Sequence, residues 1–299
     1  MSGAISRAAM LLPLAACAAL VGGCAIYRPK PLPAGPDLAR SPPLTLPAER
    51  FALPGLRPAP FDPARGLTET NVITLAVVDN PRLEAERLRA GVARAQLLEA
   101  GLLPDPQLSG GMSWSSVRTG YDAALGEEIR ALVTRGAARQ AAAAHARQVS
   151  LQILWQEWQV AAKARQLYIQ LQAIAALRPV LAERRSLLGR VYAQDQASLR
   201  RGYVTAGGVT ADFAAWRAAD ADWRSLQLEE NEARHALDRL LGLEPGVRLR
   251  LSGASNAQRP LSTAEYRAAL AALPRRRPDL LALRAGYRSE EERLREAIL

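Results

Sequence analysis

Few side chains in this sequence could carry chemistry. The 299 residues include two histidines, His145 and His235, and two cysteines, Cys17 and Cys24. So small an inventory argues against a zinc site, a disulfide framework or a Cys–His nucleophile pair. A hydrolase or metal enzyme needs a nucleophile, a base and ligands that converge. His145 and His235 stand far apart in helical text, and each reads as a solvated surface residue. No enzyme is expected, and no cofactor or metal. The net charge is +10, and only Lys30 and Lys163 are lysines, so the positive charge is almost all arginine. With 49% hydrophobic residues, the chain as a whole is not intrinsically disordered.

The cysteines point to a different chemistry, acylation at the end of an export signal. Arg7 is the lone early charge, and the sixteen apolar residues Ala8–Gly23 follow it with Pro13 inside. That run is short for a membrane span and fits a removable signal. Small residues precede a cysteine twice, in Leu14-Ala15-Ala16-Cys17 and in Val21-Gly22-Gly23-Cys24. Both resemble a bacterial lipobox, where the mature chain begins at a diacylated cysteine. Cys24 is the preferred anchor, because the longer apolar run precedes it and the polar Ala25-Ile26-Tyr27-Arg28-Pro29 follows. Cys17, or an ordinary cleaved signal, remains the alternative.

Eleven of the 20 prolines fall between Pro29 and Pro63. Such a stretch cannot be helix or central strand. It reads as an extended tether or as a strap along another element. Helical text begins near Leu67 and covers Thr70–Asn80. A second helix opens at Pro81 behind an Asn80 cap and carries Leu83, Val92, Leu97, Leu98 and Leu102 on its apolar positions. Pro104 and Pro106 end it.

Residues 107–117 then alternate with period two: Leu108, Gly110, Met112 and Trp114 on one face, Ser109, Gly111, Ser113 and Ser115 on the other. A turn is expected at Arg118-Thr119-Gly120, after which Tyr121, Ala123 and Leu125 alternate with Asp122, Ala124 and Gly126. This is a β-hairpin pattern. Its length suits a transmembrane strand, with Leu108, Met112, Trp114, Tyr121 and Leu125 facing lipid and Glu127 at the boundary. A soluble amphipathic hairpin fits the same alternation.

Ala137–Arg178 contains neither Gly nor Pro, enough for about 60 Å of helix. The stripe Leu167, Leu171, Ile174, Leu177 and Leu181 continues through Pro179, so a kink is expected there. Arg201-Gly202-Tyr203-Val204-Thr205-Ala206-Gly207-Gly208 reads as a turn. Val209 then opens a second long helix with the stripe Val209, Phe213, Trp216, Trp223, Leu237 and Leu241, stopped by Gly242. A long helical hairpin has no globular core and must pack on other helices or other copies.

Pro81–Leu102 aligns with Pro278–Leu299 at an offset of 197, with Pro81/Pro278, Leu83/Leu280, Ala85/Ala282, Arg87/Arg284, Leu97/Leu294, Glu99/Glu296 and Ala100/Ala297 identical. A short amphipathic helix precedes each segment, at Leu67–Val78 and Leu261–Leu273, so a second repeat begins near Leu261. The expected organisation is a signal over 1–23, a proline-rich segment over 24–66 and first helices over 67–104. A β-hairpin over 105–131 and a long helical hairpin over 132–241, with its tip near 202–208, come next. A linker over 242–262 and the first helices of a second repeat over 263–299 complete it. The fold class is mainly α, with one inserted hairpin of transmembrane type.

These pieces together resemble the TolC-like outer-membrane efflux proteins, lipoprotein branch. The resemblance rests on Cys24 with its proline-rich follow-on, on Asn80-Pro81-Arg82-Leu83-Glu84-Ala85, and on Ala100-Gly101-Leu102-Leu103-Pro104. It extends to the strand pair, to Thr134-Arg135-Gly136-Ala137-Ala138-Arg139, to Leu240-Leu241-Gly242-Leu243 and to Arg277-Pro278-Asp279-Leu280. The resemblance implies a homotrimer in the outer membrane, anchored by lipid and reaching into the periplasm. It implies docking of a periplasmic adaptor and an inner-membrane pump at a tip made of Arg201, Gly202, Tyr203, Val204, Thr205, Gly207 and Gly208. It also implies two repeats per protomer, whereas this sequence holds one repeat and the opening of the next, as if truncated. On that count a trimer would bring six strands instead of twelve.

The alternative is a periplasmic coiled-coil lipoprotein, scaffold-like or adaptor-like, or a non-functional fragment of a channel. An adaptor should show short strands flanking its helices, and none are evident. Glu127, Glu128, Asp195, Asp220, Asp222 and Glu229–Glu232 read as lumen or gate residues, or as a solvated face paired at i,i+4. Arg275-Arg276-Arg277 reads as a linker facing solvent or headgroups, with nucleic acid excluded behind an export signal. Cys24 is expected to carry the lipid: labelled fatty acid should enter the wild type and not Cys24→Ser. Label retained in Cys24→Ser but lost in Cys17→Ser would move the anchor.

Overall fold

The computed structural model describes residues 38–42, 65–103, 107–114, 119–126, 129–253 and 260–299. The signal, both cysteines and most of the proline-rich stretch lie outside the described residues, as do Pro104, Pro106, Glu127 and Glu128. Among the described residues six helices and two strands follow one another: α1 Glu69–Asp79, α2 Pro81–Glu99, β1 Gln107–Trp114, β2 Thr119–Gly126, α3 Ile129–Arg200, α4 Ala206–Leu240, α5 Thr263–Arg276 and α6 Pro278–Ile298.

Three of the short helices, α1, α2 and α5, start where the sequence provides a side-chain cap. The Thr68 hydroxyl accepts from the Asn71 backbone N–H at 3.3 Å, and the Asn71 side chain accepts from the Thr68 N–H at 3.1 Å, a reciprocal box. Ser262 and Glu265 repeat the device at α5. Asn80 caps α2 by accepting from the Leu83 N–H at 3.0 Å, with Pro81 in the first helical position. The Asn80 amide also donates to the Leu240 carbonyl at 2.9 Å, so one side chain ties the α1–α2 junction to the end of α4.

Helix α3 runs for 72 residues, about 110 Å, and continues as helix through Pro179. Helix α4 returns antiparallel beside it: Arg178 meets Glu230, Arg184 meets Asp222 and Arg185 meets Asp220. The core lies partway along this pair. Val72, Leu75 and Ala76 of α1 pack there with Ala164, Leu167, Tyr168 and Leu171 of α3 and with Ala233 and Leu237 of α4. Tyr168 is fully buried, and its hydroxyl donates to the Ser252 and Gly253 carbonyls at 2.8 and 3.0 Å. That bond fastens the chain leaving α4 across the core. Leu67 pairs in parallel with Leu251, and Ala39 with Leu243, each by backbone hydrogen bonds.

Helices α2 and α6 both pack on the first half of α3. Arg87 of α2 donates to Glu157 at 2.9 Å and to the Val77 carbonyl at 2.7 Å. Small residues make the α6 contact: Ala282, Ala285 and Ser289 are buried, and Ser289 donates to the Ala141 carbonyl at 3.0 Å. Helix α2 buries only Leu83 and Ala93, against its expected apolar stripe. Leu83 is buried, but Val92, Leu98 and Leu102 are exposed. The α3 stripe divides similarly: Leu167, Leu171 and Ile174 are buried and Leu177 is exposed. Helix α5 buries none of its residues.

Gly242 ends α4 with φ +65°, and a Cβ there would lie 2.8 Å from the Asp79 carbonyl. Gly242→Ala should destabilise the protein by at least the ~1–2 kcal/mol of a left-handed residue. Leu75→Ala should cost about 2–5 kcal/mol through the cavity it leaves. Exposed Leu88→Ala should stay within about 0.5 kcal/mol of wild type. Urea titrations giving equal midpoints for all three variants would show that the core is elsewhere.

Candidate functional site: a helical tip and a strand pair

The tip is a tight backbone turn. The Gly202 N–H donates to the Leu199 carbonyl at 2.9 Å, and the Tyr203 N–H to the Ser198 carbonyl at 2.9 Å. This is the helix-ending motif that wants a left-handed glycine, and Gly202 has φ +79°. Arg201 and Gly202 are exposed, Val204 is half-buried, and Tyr203 is 77% exposed. Thr205 is the extended residue before α4, with no side-chain cap hydrogen bond. The expected turn is too long at its far end. Gly207 and Gly208 belong to the first turn of α4, and the helix opens at Ala206 instead of Val209. Glycine weakens a helix interior by about 1 kcal/mol but tolerates a first turn that has tertiary support.

That support is aromatic. Tyr192 of α3 stacks on Trp216 of α4 with centroids 5.7 Å apart and planes 6° apart, and Phe213 packs at 5.3 Å from Tyr192. Gly189 gives the indole room, since a Cβ there would lie 3.3 Å from the Trp216 ring nitrogen. The Phe213–Trp216 spacing was legible in the sequence. Tyr192 and Gly189, three apart on the facing helix, were the missed half.

The acidic positions divide in a way the sequence did not suggest. Asp220 is buried, not solvated, and takes Arg185 at 2.7 Å and Arg224 at 2.9 Å. Asp222 pairs with Arg184 at 2.8 Å, and Glu230 with Arg234 at 2.6 Å. Near the tip, Asp212 hydrogen-bonds Asp195 across the two helices. That bond, with some desolvation and the repulsion of the second carboxylate, raises Asp212 above the usual carboxylate range. Among the described residues no group of three or more His, Cys, Asp and Glu is placed to hold a metal.

At the other end, β1 and β2 pair antiparallel, with Leu108 opposite Leu125, Met112 opposite Tyr121 and Trp114 opposite Thr119. The register therefore puts Leu108, Met112, Trp114, Tyr121 and Leu125 on one face. Gly111 and Asp122 oppose each other on the other face. Thr119 and Gly120 are not in the turn, as the sequence suggested, but are the first residues of β2. Among the described residues no helix is long and apolar enough to cross a membrane.

No protein-family model matches the chain. No curated protein is recognisably similar to it in sequence. Solved structures are similar in fold. The Campylobacter jejuni CmeC outer membrane channel matches with a TM-score of 0.61 at 16% identity, over 77% of this chain and 52% of that one. The outer-membrane channel OprN matches at 0.62 and 16% identity, over 92% and 64%. The outer membrane protein VceC of Vibrio cholerae matches at 0.58 and 16% identity, over 77% and 58%. The chain thus has the TolC-like fold of outer-membrane efflux channels and spans about half to two thirds of their length.

The Asp195–Asp212 pair makes a pH prediction. A carboxyl whose folded pKa is raised stabilises the pairing below its ordinary pKa and loses that contribution as pH rises through the raised value. Hydrogen exchange at the tip should therefore be slower, after correction for intrinsic rates, at pH 4 than at pH 7. Asp212→Asn should remove the difference, and a tip equally protected at both pH values in wild type would refute the pairing.

Proposed function

We propose that the chain is a component of an outer-membrane export channel. In this reading it passes small molecules or ions, delivered by a pump and an adaptor, through the outer membrane. The observation that carries the reading is the joining, in one chain, of a strand pair to an antiparallel helical pair. The strands have one face of apolar positions. The helix beside them extends about 110 Å from the strands to a closed turn. A strand of this alternation suits a closed membrane barrel, and helices of that length suit a tube beneath it. The similar fold of CmeC, OprN and VceC supports the same reading.

Three finer points belong to the proposal. Copies of the chain assemble as a homotrimer, since helix α5 and the outward leucines of α2 and α6 have no cover among the described residues. Lipid at Cys24 tethers the chain to the outer membrane. The tip, Arg201 through Thr205 with Gly207 and Gly208 behind it, meets a periplasmic adaptor carrying the inner-membrane pump. An exposed Tyr203 at a rigid turn is the kind of aromatic anchor that protein contacts use.

A photocrosslinker at Thr205 should capture an adaptor protein in cells that carry the cognate pump, while one at Arg293 of α6 should not. Crosslinks from Thr205 confined to outer-membrane proteins would place the tip at the wrong end and reject the reading.

A further inference from the structure

Away from the tip and the strands, a cleft of about 800 Å³ opens where the start of α2, the middle of α3 and the end of α4 meet. Its volume is within the ~300–1,000 Å³ range of small-molecule sites. Its walls are mostly apolar, built from Leu38, Val160, Leu167, Leu240, Leu243 and Pro245. Three cations line it from three elements: Arg82 of α2, Lys163 of α3 and Arg239 of α4. None of them forms an ion pair among the described residues; Lys163 donates only to the neutral Gln166 side chain, at 3.2 Å.

Elsewhere Arg87, Arg165, Arg184, Arg185, Arg224 and Arg234 take carboxylates. The one carboxyl among the cleft's lining residues is Asp238, 4% exposed, and burial raises its pKa. It is therefore a weak counter-charge for three cations. Helix α2 also begins at this cleft, with Pro81 and Arg82 in its wall, so the positive end of its dipole adds to the field. Like charges around one cleft repel one another, and a bound anion would relieve that repulsion.

We infer that this cleft binds an organic anion with an alkyl body, of the medium-chain carboxylate class. The carboxylate sits between Arg82, Lys163 and Arg239, and the chain lies against Val160, Leu167 and Leu243. Arginine at two of the three positions suits a planar, two-oxygen headgroup. This inference is independent of the export reading.

Octanoate with an isotopically labelled carboxyl carbon tests it, added to the full chain in non-ionic detergent and compared with matched empty micelles. The wild type should show a saturable, shifted carboxyl resonance at one site per chain. Arg82→Ala combined with Arg239→Ala should weaken binding about ten-fold or more. Arg82→Lys combined with Arg239→Lys should recover much of it. Both arginines are exposed, and an unchanged circular dichroism spectrum checks the fold of each variant. Octyltrimethylammonium, with the same alkyl body and the opposite charge, should not displace octanoate. A wild-type signal no different from empty micelles, an alanine variant that binds as wild type, or equal displacement by the cation would overturn the inference.

Discussion

A helix of 72 residues cannot bury itself, and the architecture answers that constraint. Helix propensity alone gives marginal stability in water, so tertiary packing of an apolar face must supply the rest. The chain concentrates that packing at one joint. There α1, the middle of α3 and the end of α4 enclose Tyr168, Leu75 and Leu237. The polar ties at the joint are few and each has two ends. Asn80 caps one helix while holding the last carbonyls of another. Tyr168 donates from the core to the chain that leaves it. Beyond the joint, the helices are held by alanine contacts on one side and arginine–carboxylate pairs on the other.

That division explains what the sequence revealed. Caps and stops depend on residues within four positions of each other, so Asn80-Pro81 and Gly242 were readable without a structure. The strand faces were readable because period two fixes them, and the register keeps both apolar sets together. Two kinds of feature were not legible. The outward turn of Val92, Leu98 and Leu102 was hidden because a leucine stripe normally marks the packed face, whereas α2 buries only Leu83 and Ala93. The burial of Asp220 was hidden because its partner Arg185 is on the facing helix, at a sequence separation that no local pattern reports. At the tip, Gly202 was legible as a turn residue. Gly207 and Gly208 misled, because the helix opens at Ala206 and takes both into its first turn.

The arginine excess follows the same logic. Asp220 is nearly out of water, and a lone carboxylate there would be costly. Arg185 and Arg224 offset its charge from two directions, and their planar heads reach it from long, half-exposed stems, although its Oδ1 accepts no hydrogen bond. Arg87, Arg178, Arg184 and Arg185 fasten one helix to another in this way along a structure with little core.

The strand pair sets the last condition on any membrane role. Among the described residues β1 pairs only with β2, which leaves each strand with an outer edge. In water such edges are tolerable, because solvent pairs with the free N–H and carbonyl groups. In hydrocarbon each unpaired group costs several kcal/mol, and eight-residue strands present a row of them. A two-stranded sheet therefore cannot sit in a bilayer by itself, whatever the apolar quality of the face that carries Leu108, Met112 and Leu125. The export reading thus requires that strands from other copies or segments pair with both edges. The same closure would bring the helices below into a ring and cover the outward leucines of α2 and α6.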